Sequence, residues 1–352
     1  MTERDAVIET FLAVRGWGGA ARATLAGDAS FRRYDRLTDS GRGAVLMDAP
    51  PPRENVDAFV AVARHLKSLG FSPPDIFAKD KENGLLIIED LGDETFTRVL
   101  AKAAHEAGNE TAKEAGKAVE WDLYGLAVDV LVQLHRIDPE SVLPPGLEDY
   151  DDAKLLDEAV LLTDWTWPAV FGGPPPADVL NAYRDAWLQV FPIVHRQPRT
   201  LVLRDFHVDN LLVLEGRNGV ARCGLLDFQD AVRGAGAYDL MSLLEDARRD
   251  LGGGLRDAML ERYLDAFPGL DGAEFKTVYA ILAAQRHAKV IGIFTRLCRR
   301  DGKPAYLKHI PRVWRLLEAA LGHQALAPVA AWFDAHVPPD KRGVPPCPAA
   351  GT

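Results

Sequence analysis

The sequence predicts an α+β fold in two lobes. A small antiparallel β lobe spans 1–91, a larger helical lobe spans 92–337, and a flexible Pro-rich tail, PPDKRGVPPCPAAGT, closes the chain at 338–352. Three observations carry that prediction. Residues 1–91 alternate short apolar strands with one amphipathic helix, apolar residues recur at helical steps from residue 92 onward, and strands return only briefly, near 200–228. The 352 residues, 47% of them hydrophobic and 26% charged, suffice for a sizeable core and are too many for one small one.

Each element follows from local pattern. SFRRYDRL (30–37) and AVLM (44–47) flank TDSGRG, a turn-rich cluster that reads as a hairpin loop. In ENVDAFVAVARHLKSLG, Val56, Phe59, Val60, Ala63 and Leu66 recur at three- and four-residue steps, and Gly70 stands where a helix ends. DIFA (75–78) and LLIIED (85–90) read as strands, the second so uniformly apolar that it belongs at the sheet centre. EWDLYGLAVDVLVQLHRI is apolar around most of its circumference, so it predicts a helix buried in the second lobe. The acidic stretch LEDYDDAKLLDEA reads as a solvated face, WTWPAVFGGPPP as a loop, and ADVLNAYRDAWLQVF as a helix. TLVL, LLVL and CGLLDF are strands, and the remainder from Tyr238 to about Val337 is helical.

Charge and cysteine usage exclude several functions. A net charge of -10 argues against a surface built to neutralise nucleic-acid phosphates. Cys223, Cys298 and Cys347 lie far apart with no CxxC pair, which suggests neither a disulfide framework nor a zinc site and fits a reducing cytoplasm. The acidic start MTERDAVIETFLAV is unlike a signal peptide, and no run of eighteen apolar residues is long enough for a membrane span. The expectation is a cytoplasmic, monomeric protein acting on a small molecule, without nucleic acid or membrane.

The chemistry concentrates in LRDFHVDNLLVL, where Arg, Asp, His, Asp and Asn stand just ahead of an apolar strand. Polar groups beside a core are costly unless something pairs with them. Asn210 follows Asp205 by five residues and Asp227 lies seventeen further on, each near the end of a short strand, so Asn210 and Asp227 can meet as hard oxygen ligands for Mg2+. Asp205 then remains to orient a hydroxyl and accept its proton as that hydroxyl attacks a phosphoryl group.

LRDFHVDN followed by LLDF resembles the catalytic and metal-binding loops of the protein-kinase-like superfamily. His207, two residues after the Asp, and DFQDAVRGAGAYDL resemble the aminoglycoside-phosphotransferase branch. GDASFRRYDRL, VLMDAPPPRENVDAFVAVARHL, GLLIIEDLGDETF and LLDFQDAVRGAGAYDL resemble the bacterial N-acetylmuramate/N-acetylglucosamine kinases, anomeric sugar kinases of peptidoglycan recycling. The resemblance implies a two-lobed protein-kinase-like fold, ATP with Mg2+, and an amino-sugar acceptor phosphorylated on its C1 hydroxyl. It implies adenine contacts from the backbone of Glu89 to Leu91, and phosphate contacts around Ser30 and Phe31.

Several positions keep two readings. Met47 stands where the superfamily has a phosphate-pairing lysine, and Arg32 or Arg33 is the nearest replacement. His207 suits a structural bond that holds the loop, or a substrate contact. Asp239 suits a helix N-cap that ties down the loop. Asp164 and Trp165 suit either lobe packing or a sugar platform, and Gln229, in the place of a family glycine, is a further candidate substrate contact. An aminoglycoside, choline or another small alcohol is the alternative acceptor, the acidic stretch 147–159 being suited to a polycation. A nucleotide-binding regulator without catalysis is the third reading, motivated by Met47.

Overall fold

The computed structural model describes residues 2–25, 32–106 and 110–347. Helix α1 (Glu3–Val14) opens on a capping box in which Thr2 Oγ1 accepts from Asp5 N and the Asp5 carboxylate accepts from Thr2 N at 2.7 Å. Then come β1 (Ala21–Thr24), β2 (Arg33–Asp39), β3 (Arg42–Asp48), α2 (Val56–Ser68), β4 (Ile76–Asp80) and β5 (Leu85–Ile88). The strands form one antiparallel sheet in the order β1-β2-β3-β5-β4, with Met47 opposite Tyr34 and Leu86. Its two most apolar strands, β3 and β5, sit inside the sheet, where both faces are covered. Gly70 follows α2 at a φ of 89°, which only glycine adopts without strain, and Phe71 N then bonds back to Leu66 O.

Helices α3 (Phe96–His105) and α4 (Glu110–Arg136) follow, then α5 (Pro139–Val142), α6 (Asp152–Ala159), a π-turn (Leu162–Thr166), α7 (Trp167–Phe171) and α8 (Ala177–Val194). The chain returns to strands at β6 (Arg199–Val202), β7 (Leu211–Val213), β8 (Cys223–Leu225) and β9 (Val232–Ala235). It ends in α9 (Ala237–Leu244), α10 (Leu255–Asp265), α11 (Gly272–Arg299), α12 (Ile310–Leu321) and α13 (Ala327–His336).

Two compact units result: Met1–Val130 with Val208–Ala231, and Leu131–His207 with Val232–Thr352. The first unit extends past residue 91 for a hydrogen-bonding reason. The β7–β8 hairpin is tied to it by Val213 N on Glu94 O at 2.9 Å, Leu225 N on Ser72 O at 3.0 Å and Ser72 Oγ on Ala221 O at 2.7 Å. In the second unit α11 is buried on nearly every face, and α6, α8, α9, α12 and the π-turn pack around it. Full burial of its Ile281, Leu282, Ile291 and Phe294 stabilises this unit by roughly 2 kcal/mol per side chain. Strand β9, not foreseen from sequence, pairs antiparallel with β6.

Three expectations are corrected. The segment expected as a loop, WTWPAVF, is helical, because Pro168 falls in the first turn of α7, where no backbone N–H is required. Residues 338–347, expected to trail freely, are tied back: Arg342 donates to Val337 O at 2.7 Å and pairs with Glu318 and Asp334. Cys298 and Cys347, 49 residues apart and expected to be unlinked, form a disulfide, while Cys223 is free and buried.

Candidate active site

The second unit carries Asp205. Immediately after β6 the backbone turns sharply, with Arg204 at a φ of 69° and Asp205 N bonded to Leu203 O at 2.9 Å. A residue with a Cβ holds that conformation only where its surroundings impose it. Asp239, fully buried in the first turn of α9, accepts from Leu203 N at 2.6 Å and Arg204 N at 2.8 Å. Asp239 therefore clamps the turn rather than capping its own helix, whose N-cap is Gly236. Burial pushes its carboxyl up to about 7, against the pull of those two N–H donors.

A buried charge network surrounds this turn. Glu158 accepts from Arg204, from Lys289 Nζ at 2.9 Å, from Gln285 Nε2 at 3.1 Å and from the Tyr150 hydroxyl. Burial alone would raise its carboxyl, but Lys289 and Arg204 hold it down at about 2. Asp205 follows the same logic: burial opposes its charge, and Arg286 followed by Lys289 outweighs burial and keeps the carboxyl at about 2. Its side chain is 38% exposed, open enough to meet an acceptor. His207 is buried; burial pushes its imidazole down, with Asp246 opposing. Asp164 is exposed and Trp165 half-buried on the π-turn, whereas Trp167 packs in the core against Phe171 and Trp332.

The first unit carries the candidate metal ligands. Asn210 and Asp227 flank the β7–β8 hairpin, where Leu226 N bonds to Asn210 O at 2.9 Å and brings Asn210 Nδ2 to 3.4 Å from Asp227 Oδ2. Asp227 has a φ of 57°, which turns its carboxylate out of the strand line, and Phe228 anchors the turn against Phe59 of α2 with ring centroids 5.0 Å apart. Gln229 Nε2 donates to Asp227 Oδ1 at 2.8 Å, and among the described residues Gln229 Oε1 is buried with no hydrogen-bond partner. One carboxylate, one amide and an orphaned oxygen beside them fit a hard cation that takes its remaining ligands from water and phosphate. Among the described residues no cluster of three His, Cys, Asp or Glu forms a site that needs only protein ligands.

The two arginine candidates separate. Arg32 is buried, with its guanidinium 3.6 Å from Asp227 Oδ1 and 3.6 Å from Glu54 Oε2. Arg33 pairs with Asp48 at 2.9 Å and is 61% exposed, so it is not brought to Asp227; neighbouring positions entering a strand face opposite ways. Glu89 donates its N–H to Asp75 O at 2.8 Å, and its carboxylate accepts from Arg217 at 2.7 Å and from Asp75 N. Leu91 lies in the following turn, whose Asp90 forms a bidentate pair with Arg36. Ser30 and Phe31 lie outside the described residues. Sequence reasoning missed Arg286, Lys289 and Glu158, which come from helices far along the chain. The available signal was QRHAK (285–289), where Arg286 and Lys289 interrupt an otherwise apolar helical pattern.

The acidic stretch is likewise no free anionic face. Glu148 pairs with Lys154, Asp149 with Arg233 and Arg199, and Glu158 with the network above. Among the described residues no helix is long and apolar enough to cross a membrane.

This fold and these loops define a phosphotransferase, and comparison with known proteins agrees: the chain belongs to the phosphotransferase enzyme family, whose model matches residues 22–275. It is 35% identical to the N-acetylmuramate/N-acetylglucosamine kinase of Caulobacter vibrioides over 97% of this chain and 99% of that protein. It is also 35% identical to the protein of the same name from Pseudomonas aeruginosa, over 91% and 90%. The crystal structure of a choline/ethanolamine kinase family protein from Mesorhizobium loti shares its fold with a TM-score of 0.57, at 16% identity, covering 94% of this chain and 99% of that one. The protein is thus an enzyme of phosphoryl transfer with a protein-kinase-like fold.

Proposed function

We propose that this protein is an ATP- and Mg2+-dependent anomeric kinase that phosphorylates the C1 hydroxyl of N-acetylmuramate, N-acetylglucosamine or both, in peptidoglycan recycling. The observation that carries the proposal is the end-to-end likeness to relatives bearing that name, in a chain with Asp205, Asn210 and Asp227 all in place. The reading places it in the cytoplasm as a monomer. It assigns nucleotide binding to 1–91 and catalysis with acceptor binding to 92–337, a functional division that cuts across the compact units.

Asp205 orients the acceptor hydroxyl and takes its proton. An anomeric hydroxyl is more acidic than an ordinary alcohol, so a carboxylate held fully ionised is an adequate base. Asn210 and Asp227 are the residues to hold Mg2+. Bound there, the ion neutralises charge on the phosphates and aligns them. Arg32 takes the charge-pairing role that Met47 cannot fill. Since the Glu89 N–H already serves Asp75, the adenine contact falls to the Glu89 carbonyl and the Leu91 N–H. Asp164 and Trp165 offer an acceptor platform, buried His207 holds the loop that carries Asp205, and Gln229 is a further candidate substrate contact. With Glu148, Asp149 and Glu158 of the acidic stretch paired to basic residues, a polycationic aminoglycoside loses part of the feature that favoured it.

The test is ADP release with ATP and Mg2+ against N-acetylmuramate, N-acetylglucosamine, glucosamine, kanamycin and choline. Turnover with the first two, yielding an alkali-stable, acid-labile sugar 1-phosphate, is the expected outcome. Preferential turnover of kanamycin or choline would replace the substrate assignment, and nucleotide binding without any product would replace the enzymatic one.

A further inference from the structure

We infer that Arg286 is a positioning residue that fixes the Asp205 carboxylate for proton acceptance, by gripping the catalytic turn and the reacting side chain with one guanidinium. This rests on the phosphoryl-transfer reading above. Arg286 lies on α11, 82 residues beyond Arg204.

The left-handed Arg204 must be imposed by its neighbours, and its peptide groups are held from both sides. Asp239 accepts the N–H groups of Leu203 and Arg204, while the Arg204 carbonyl accepts from Ser242 Oγ at 3.3 Å and from the Arg286 guanidinium at 3.2 Å. Asp239 and Ser242 thereby grip backbone. Arg286 reaches further, placing a second nitrogen 3.5 Å from Asp205 Oδ1. That separation directs the carboxylate by charge and is too long for a strong hydrogen bond.

The guanidinium is itself immobile. Arg286 is 8% exposed, donates to the Tyr238 hydroxyl at 3.0 Å, and lies over the Tyr238 ring with its central carbon 5.4 Å from the centroid. A planar fork with one prong on the carbonyl and one toward the carboxylate couples the two positions; a lysine ammonium has no such fork. Lys289, one turn along the same helix, is turned to Glu158 and does not duplicate the arrangement.

The experiment compares wild type, Arg286→Ala and Arg286→Lys by steady-state ADP release with ATP, Mg2+ and N-acetylmuramate, alongside thermal unfolding. In Arg286→Ala, kcat is expected to fall by about 10²-fold while KM for ATP and sugar stays within about twofold. Millimolar guanidinium chloride should restore part of that kcat, whereas methylammonium or potassium chloride should not. Arg286→Lys keeps a cation in the helix without the fork, and should melt like wild type yet lose about tenfold in kcat at unchanged KM. Wild-type kcat in Arg286→Lys, or a loss in Arg286→Ala that guanidinium leaves untouched, overturns the proposal. If wild type phosphorylates no amino sugar, the substrate assignment fails. Arg286 is then judged on slow ATP hydrolysis, where the same loss and the same guanidinium rescue are expected and their absence overturns it.

Discussion

Asp205 and Asp227 carry the same side chain but are proposed for different work, as base and as metal ligand, and under that proposal their substitutions should separate. Asp205→Asn keeps the volume of the base and removes its charge, so ATP binding measured by calorimetry is expected to persist while kcat falls by about 10²–10⁴-fold. Asp227→Ala removes a proposed metal ligand, and both Mg2+-dependent nucleotide binding and turnover should weaken. Glu158 adds a pH signature. Its carboxyl sits at about 2 in the folded protein against an ordinary 4.5, so the folded protein holds that proton less tightly than the unfolded chain. The resulting stability, about 3 kcal/mol at most, is fully present above pH 4.5 and lost as pH falls toward 2. Glu158→Gln should flatten that part of a pH-dependent urea-denaturation series while lowering stability at neutral pH. The sequence singled out Asp205, Asn210 and Asp227 because their spacing is local to two strand ends, and the structure brings Asn210 and Asp227 together. It hid Arg286, Lys289 and Glu158, since a long-range ion pair leaves no spacing signature, and it left Arg32 and Arg33 open because strand phase depends on the register of the sheet.

Among the elements, the π-turn depends on one small residue. A Cβ on Gly292 of α11 would lie 2.3 Å from the Leu161 carbonyl carbon, a backbone collision no rotamer relieves. Gly292→Ala is therefore expected to push α11 away from the turn bearing Asp164 and Trp165, costing about 1–3 kcal/mol in urea denaturation. If Asp164 and Trp165 hold the acceptor, KM for sugar should rise as well. Elements with strong periodicity were legible: α2 and α8 appear where their apolar spacing places them, while β5, expected at the sheet centre, is an interior strand beside the edge strand β4, with β3 at the centre. Strands β1 and β9 were not, because ARAT and VRGA are too short and too mixed to carry a period and are strands only through their partners. The helical start of WTWPAVF was hidden because it runs into GGPPP and reads with it as a Pro/Gly-rich loop, whereas Pro168 occupies a first-turn position that tolerates it.

For the whole molecule, the link between Cys298 and Cys347 makes a countable statement. Under denaturing, non-reducing conditions one thiol per chain, Cys223, should react with a thiol reagent, and three after reduction. Three reactive thiols without reductant would mean the tail is held by Arg342 and its partners alone. The division into units has a different consequence. The first unit takes its last segment from Val208–Ala231, so a nascent chain cannot complete it when residue 130 leaves the ribosome. It must wait, with sheet edges and apolar helix faces uncovered, until residue 231 has emerged and the β7–β8 hairpin can dock. Closure over so long a separation is slow, and during synthesis the early segment is a natural client for chaperones.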